Sequence, residues 1–143
     1  MQTLRIDVDI HIDRPVETVF GAWTTAAALA EWFAPMAIEK PGVELDFREG
    51  GRYAIRMPLP DGVVFTTAGE FREIVANEKI VMTWHCDAFP DPPTVVTVTF
   101  VAEAGGTTVR VVHERFESGD TCANHRHGWE MCLGELKASL ERI

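Results

Sequence analysis

Four side chains that can do chemistry lie close together near the end of the chain, in NHRHGWEMCLGELKASLERI. They are His125, His127, Trp129 and Cys132. Imidazole and thiolate groups are common metal ligands, and imidazole is the most common acid–base catalyst. The same residues could instead form the inner face of one helix. Their angular positions on that helix distinguish these interpretations.

Residues 121 to 143 have the apolar spacing of a helix. At 3.6 residues per turn, one stripe lies within about 60° of Trp129. Its members are Cys122, His125, Cys132, Leu133, Leu136, Leu140 and Ile143. His127 falls about 160° from Trp129, so it points away from His125. We therefore expect no shared metal ion, and the chain shows no zinc-protease, phosphate-loop or dinucleotide motif that would predict a cofactor.

The composition of this stripe changes along the helix. Its C-terminal half is leucine, whereas its N-terminal half carries His125, Trp129 and Cys132. This change indicates that a packed core gives way to a cavity. The alternative is a closed core with a half-buried histidine at its edge.

The elements before this helix predict an α+β fold and one domain, residues 1–143. Residues 3 to 12 alternate apolar and charged side chains, as a half-buried strand does. Two short helices follow, up to Pro35. In a later strand, Gly69 marks a bulge or a tight backbone approach. Short turns join six further strands into an antiparallel meander. The strands are VELDF, RYAIRM, VVFTTAGEFREI, KIVMTWHC, TVVTVTFVAE and TTVRVVHERF.

Five segments together resemble a known family. They are RPVETVFGAWTTAAALAEWFAP, DFREGGRY, GEFREI with EKIVMTW, TVVTVTFVAEAGGTTVRV, and GWEMCLGEL. They resemble the activator of heat-shock-protein-90 ATPase homologue family in its C-terminal-domain-like form, within the START-like, birch-pollen-allergen-like (SRPBCC) superfamily. Ala26, Glu49 and Ala76 stand where that family usually has proline, at turn and cap positions.

The resemblance implies a helix-grip fold. In that fold a curved antiparallel sheet of six to seven strands is combined with two short helices, and a long C-terminal helix crosses its concave face. The family's small members resemble cavity proteins, and the chaperone activators carry a further domain for which 143 residues leave no room.

Strand alternation and the helical stripe together give candidate ligand-binding residues, each of which could also be ordinary core. They are Trp32, Phe33, Tyr53, Ile55, Met57, Phe71, Trp84, Phe100, His113, His125, Trp129, Cys132 and Leu133. His113 is the polar candidate because it follows Val109 and Val111 on the inward face. His85 should point away from the cavity. No catalytic residue is assigned.

Three functions remain open from the sequence. The first is binding of a hydrophobic small molecule without catalysis, which the aromatic stripe favours. The second is a cyclase, dehydratase or hydrolase that uses His113 as its base. The third, a chaperone cofactor or other protein-interaction module, rests on the resemblance alone.

The composition indicates where the protein is located and which classes of partner are disfavoured. A net charge of −9 disfavours nucleic acid, because phosphates would be repelled over most of the surface. Three unpaired cysteines suit a reducing compartment, and no apolar run is long enough for a signal peptide or membrane span. We therefore expect a cytoplasmic protein with no membrane partner. A homodimer through a sheet edge or face is compatible with the sequence.

Overall fold

Much of the chain forms one antiparallel sheet. The computed structural model describes residues 4–36, 38–89 and 91–142, and within them seven strands follow the order β1-β7-β6-β5-β4-β3-β2. The strands are β1 (Leu4–Ile12), β2 (Gly42–Leu45), β3 (Arg52–Pro58), β4 (Val64–Val75), β5 (Lys79–Cys86), β6 (Thr94–Glu103) and β7 (Gly106–Phe116). The helices are α1 (Val16–Gly21), α2 (Ala26–Ala30) and α3 (Gly119–Glu141).

Strand β1 joins the end of the meander by pairing with β7. Its alternation predicts one buried face, and Ile6 and Ile12 are fully buried. Asp7 points outward, where the guanidinium of Arg110 on β7 hydrogen-bonds it and lowers the pKa of its carboxyl group. The first strand therefore pairs with the last one and forms one edge of the sheet.

The two short helices deliver aromatic side chains to the sheet. The Thr25 hydroxyl caps α2 by accepting a hydrogen bond from the Ala28 amide at 3.1 Å. Helix α2 ends at Ala30, so Trp32 and Phe33 lie just beyond it. Both are buried, and the Trp32 indole N–H donates to the Ala22 carbonyl at 3.0 Å.

Helix α3 lies across β1 and β7, as the helix-grip fold requires. The Ser118 hydroxyl caps its start by accepting from the Thr121 amide. Trp129, Cys132, Leu133 and Leu136 of the predicted stripe are buried. The remaining member at the C-terminus, Ile143, lies outside the described residues.

Gly69 lets the sheet interior form a contact that no other residue would permit. Tyr53 on β3 lies opposite Gly69 on β4, and its hydroxyl donates to the Thr83 carbonyl on β5 at 2.6 Å. A Cβ on Gly69 would lie 1.9 Å from that carbonyl oxygen and 2.9 Å from the Tyr53 ring. The tyrosine therefore crosses a strand that must lack a side chain, which confirms the close approach predicted at Gly69.

These observations confirm the predicted α+β helix-grip fold, with seven antiparallel strands, two short helices and the long C-terminal helix. None of the helices in the described part of the chain is long and apolar enough to cross a bilayer.

Gly69→Ala should destabilise the protein by about 3 kcal/mol, because its methyl group would overlap the Thr83 carbonyl, which also accepts the hydrogen bond from Tyr53. Gly134→Ala is the matched control. It sits on the exposed side of α3 with nothing within 4 Å of a new Cβ. That change should stabilise the protein by about 0.5–1 kcal/mol. Urea denaturation measures both, and equal stabilities would refute the close approach.

Candidate ligand cavity

A buried chain of hydrogen bonds ties α3 to three strands. The Trp129 indole N–H donates to Nδ1 of His113 at 3.0 Å. Nε2 of His113 lies 2.6 Å from the Thr94 hydroxyl, which donates to the Trp84 carbonyl at 3.1 Å. An indole can only donate, so Nδ1 must accept and Nε2 must carry the proton. All three hydrogen bonds are thus donated in the same direction, from the helix towards strand β5.

His113 is held neutral by this environment. Its side chain has no exposed surface, and burial lowers its pKa well below 6.5, with a further contribution from neighbouring His125. Both ring nitrogens already have partners. His113 therefore has no free lone pair with which to take a proton from a substrate or to hold a ligand.

Trp84 is the centre of an aromatic layer between the helix and the sheet. Its ring lies 5.2 Å from Trp129, 5.4 Å from His113 and 6.1 Å from Phe33, measured between centroids. Trp23 stacks on Trp129 with a centroid distance of 6.3 Å. Tilted and edge-on ring pairs of this kind add stability beyond the buried area.

A cavity of about 260 Å³, here called the mouth cavity, opens at the N-terminal end of α3. Its walls come from the segment after α2, strands β3 to β5, the β5–β6 loop and α3. They are formed by Phe33, Pro35, Met36, Met57, Thr67, Trp84, Cys86, Phe89, Asn124, His125, His127, Gly128 and Trp129. Most of these side chains are apolar.

Beyond Trp129, the described residues leave little space between the sheet and the helices. A recess of only about 20 Å³ lies between the sheet and the helices, too small for more than one water molecule. It is lined by Trp23, Leu29, Phe33, Leu45, Tyr53, Ile55, Phe71, Ile80, Met82, Trp84 and Trp129. The inner face of α3 therefore meets packed core from Trp129 onward, and the mouth cavity borders only its second and third turns.

The structure sorts the candidate residues into three groups. Those on the mouth cavity are Phe33, Met57, Trp84, His125 and Trp129. Those on the small recess but not on the mouth cavity are Tyr53, Ile55 and Phe71. Those buried in the core and on neither are Trp32, Phe100, His113, Cys132 and Leu133. Their role in binding remains a prediction.

Several residues of the mouth cavity were not predicted from the sequence. Cys86 and Thr67 share the inward register of Trp84 and of β4, so alternation alone could have identified them. Met36 and Phe89 lie in irregular segments, where no periodicity indicates a direction. Gly128 joins the wall because Pro35 packs against it, with Pro35 Cβ 3.1 Å from where a Gly128 Cβ would lie.

His125 is the half-buried histidine of the cavity wall. Its Nδ1 lies 2.9 Å from the Thr121 carbonyl, one turn earlier on α3. Burial lowers its pKa, while the Thr121 carbonyl and the Asp91 carboxylate act in the opposite direction. His127 is exposed at the rim, and His85 is exposed on the other face of the sheet.

The described residues hold no group of three or more His, Cys, Asp or Glu side chains arranged to bind a metal ion. The thiols of Cys122 and Cys132 are unsuited to nucleophilic chemistry. Burial raises the pKa of both Cys132 and Cys122.

The fold and the cavity together define a START-like helix-grip protein with an apolar pocket at one end of its long helix. Residues 13–141 match the family described as Activator of Hsp90 ATPase homolog 1-like protein. The chain belongs to this family, which confirms the resemblance seen in the sequence. No curated protein matches the sequence.

Solved structures show the same architecture. A Rhizobium leguminosarum protein superposes with a TM-score of 0.85 and 26% identity, covering 99% of this chain and 97% of that one. The AHSA1-like protein from Aeromonas hydrophila gives 0.80 and 28%, covering 97% and 93%. DynU16, described as a protein in the dynemicin biosynthetic locus, gives 0.77 and 22% and shows the fold alone. The superposition covers 96% of this chain but 47% of DynU16.

Acid should destabilise the protein through His113. Between its lowered folded pKa and the ordinary 6.5, the unfolded chain binds a proton that the folded chain does not. The free energy of unfolding should therefore fall as pH falls, by up to about 1.4 kcal/mol per pH unit. Denaturation between pH 7 and 5 measures the slope. His113→Gln, whose amide can both accept from Trp129 and donate to Thr94, should remove this component. The exposed control, His127→Gln, should keep it. An unchanged slope in His113→Gln would show that His113 does not titrate in this way.

Trp129→Phe should cost about 1–3 kcal/mol more than Trp23→Phe. The first change leaves Nδ1 of His113 buried without a donor. The second removes an indole N–H that has no hydrogen-bond partner among the described residues. Both rings are buried to a similar extent, so the lost packing is comparable. Chemical denaturation followed by circular dichroism gives the difference, and equal costs would contradict the hydrogen-bonded chain.

Proposed function

We propose that this protein binds a small, planar, apolar molecule in the mouth cavity and performs no catalysis. The observation that carries the proposal is the cavity itself, about 260 Å³ of space beside the Trp84 and Trp129 rings, next to a recess of only about 20 Å³ between the sheet and the helices. An apolar concave pocket with a few polar groups is the usual form of a ligand site.

The size and walls of the cavity support a particular class of ligand. Its volume lies near the lower end of the range for small-molecule sites, which favours one or two fused rings over a long lipid. The rings of Phe33, Trp84 and Trp129 offer surfaces for offset or edge-on contact with another aromatic ring. Burying such a ligand gains roughly 25 cal/mol for each Å² of apolar surface removed from water.

The alternative that uses His113 as a catalytic base has weaker support. Its Nδ1 accepts from Trp129 and its Nε2 donates to Thr94, so accepting a proton would break the buried chain. The chaperone-cofactor alternative rests on the family description and on no feature of the cavity. We therefore keep a hydrophobic small molecule as the proposed partner.

Binding of 2-methoxynaphthalene, a neutral two-ring probe, tests the proposal. Quenching of tryptophan fluorescence reports occupancy, because Trp84 and Trp129 line the cavity. Cys86→Met adds bulk to the cavity wall and should weaken binding at least about tenfold by filling space the probe needs.

Cys122→Met is the matched control. Cys122 is half-buried on α3 but does not line the mouth cavity, so this variant should bind within about twofold of the unaltered protein. Thermal denaturation of both variants checks that they remain folded. Absence of probe binding to the unaltered protein, or equal weakening in both variants, would overturn the proposal.

A further inference from the structure

His125 has one ring nitrogen engaged and one free. Nδ1 faces the Thr121 carbonyl, which can only accept, so Nδ1 must carry a proton. No hydrogen bond reaches Nε2 from any residue in the described ranges. His125 lines the mouth cavity, so this nitrogen is the side chain's remaining site for a hydrogen bond.

The ring of His125 is held in place by its neighbours. Phe89 lies 5.0 Å from it, His113 and Phe116 each lie 5.2 Å from it, and Trp84 lies 6.3 Å from it, between centroids. These rings come from the β5–β6 loop, β7, the end of β7 and β5. Together with the bond to Thr121 they fix the imidazole, which makes it a preorganised polar group.

The chemistry of Nε2 follows from this geometry. In the neutral ring, a proton on Nδ1 leaves Nε2 as a lone-pair acceptor. Burial favours that neutral form by lowering the pKa, against the opposing charge of Asp91. Nε2 can therefore receive a hydrogen bond from a ligand but cannot give one at neutral pH.

We propose that His125 is the polar anchor of the mouth cavity and selects aromatic alcohols, with the ligand's phenolic hydroxyl donating to Nε2. This inference rests on the proposed function and narrows its ligand class. A phenolic hydroxyl is a strong donor carried directly on a planar ring, which matches an acceptor held in place among aromatic walls. A ligand with only a carbonyl or ether oxygen would leave Nε2 unpaired and lose affinity.

The other polar groups of the cavity are less suited to accept from a hydroxyl, and the Trp84 indole N–H, which has no partner among the described residues, can only donate. His127 and Asn124 are exposed at the rim, where water competes for their hydrogen bonds. His113 has both nitrogens engaged and does not line the cavity. Thr67 is buried on the opposite wall and can donate as well as accept, so it does not discriminate between hydroxyl and carbonyl ligands.

A pair of probes that differ only in the donor tests the inference. 2-Naphthol carries a hydroxyl where 2-methoxynaphthalene carries a methyl ether. The unaltered protein at pH 7.5 should bind 2-naphthol about three- to tenfold more tightly, the range expected for one net hydrogen bond. In His125→Phe, which keeps a ring but removes the acceptor, the two affinities should become equal. His85→Phe, the control on the other face of the sheet and outside the cavity wall, should preserve the preference.

The outcomes separate this inference from the proposed function. If the unaltered protein binds both naphthalenes with equal affinity, the anchor is refuted while the cavity proposal stands. If it binds neither, the proposed function fails, and the anchor with it. A preference that persists in folded His125→Phe would place the anchor on another residue. The comparison in the unaltered protein decides the matter even if His125→Phe does not fold.

Discussion

The requirement that the rest of the site depends on is the burial of His113. An imidazole with no exposed surface needs partners for both nitrogens, since an unpaired buried polar atom costs about 1–3 kcal/mol. Trp129 supplies the donor and Thr94 the acceptor, and the Thr94 hydroxyl in turn donates a hydrogen bond to the Trp84 carbonyl of β5. Because each hydrogen bond in this row can form with only one donor and one acceptor, the row fixes the rotation and the height of α3 over the sheet.

The position of the cavity follows from that placement. With Trp129 held over Trp84, its indole forms the end of the closed core on one side and the wall of the mouth cavity on the other. His125 lies four residues earlier, one helical turn toward the mouth, so it occupies the wall just beyond the last core ring. The close contact between Gly128 and Pro35 brings the segment after α2 over the same turn.

The sequence predicted the elements well because their periodicities are strong. Alternation in β1 and in β3 to β7 gave the inward faces, and the stripe on α3 gave Trp129, Cys132 and Leu133 as buried. It also placed His113 inward, yet it could not show that both its nitrogens would be occupied. That property depends on Thr94 and Trp129, which are 19 and 16 residues away along the chain and meet His113 only in the folded protein. The loop residues Met36 and Phe89 had no pattern from which to infer a direction.

The two neighbouring histidines show why burial alone does not identify a functional group. Their rings lie 5.2 Å apart and burial lowers the pKa of both, so neither is suited to carry a charge at neutral pH. What separates them is the number of hydrogen bonds that the protein itself completes. His113 has two protein partners and stabilises the fold, whereas His125 has one and borders open space. A neutral imidazole with one unfilled acceptor can be satisfied only by water or by a ligand. In a cavity walled by aromatic rings, a ligand that fills the space and supplies that donor gains affinity both from buried apolar surface and from the hydrogen bond.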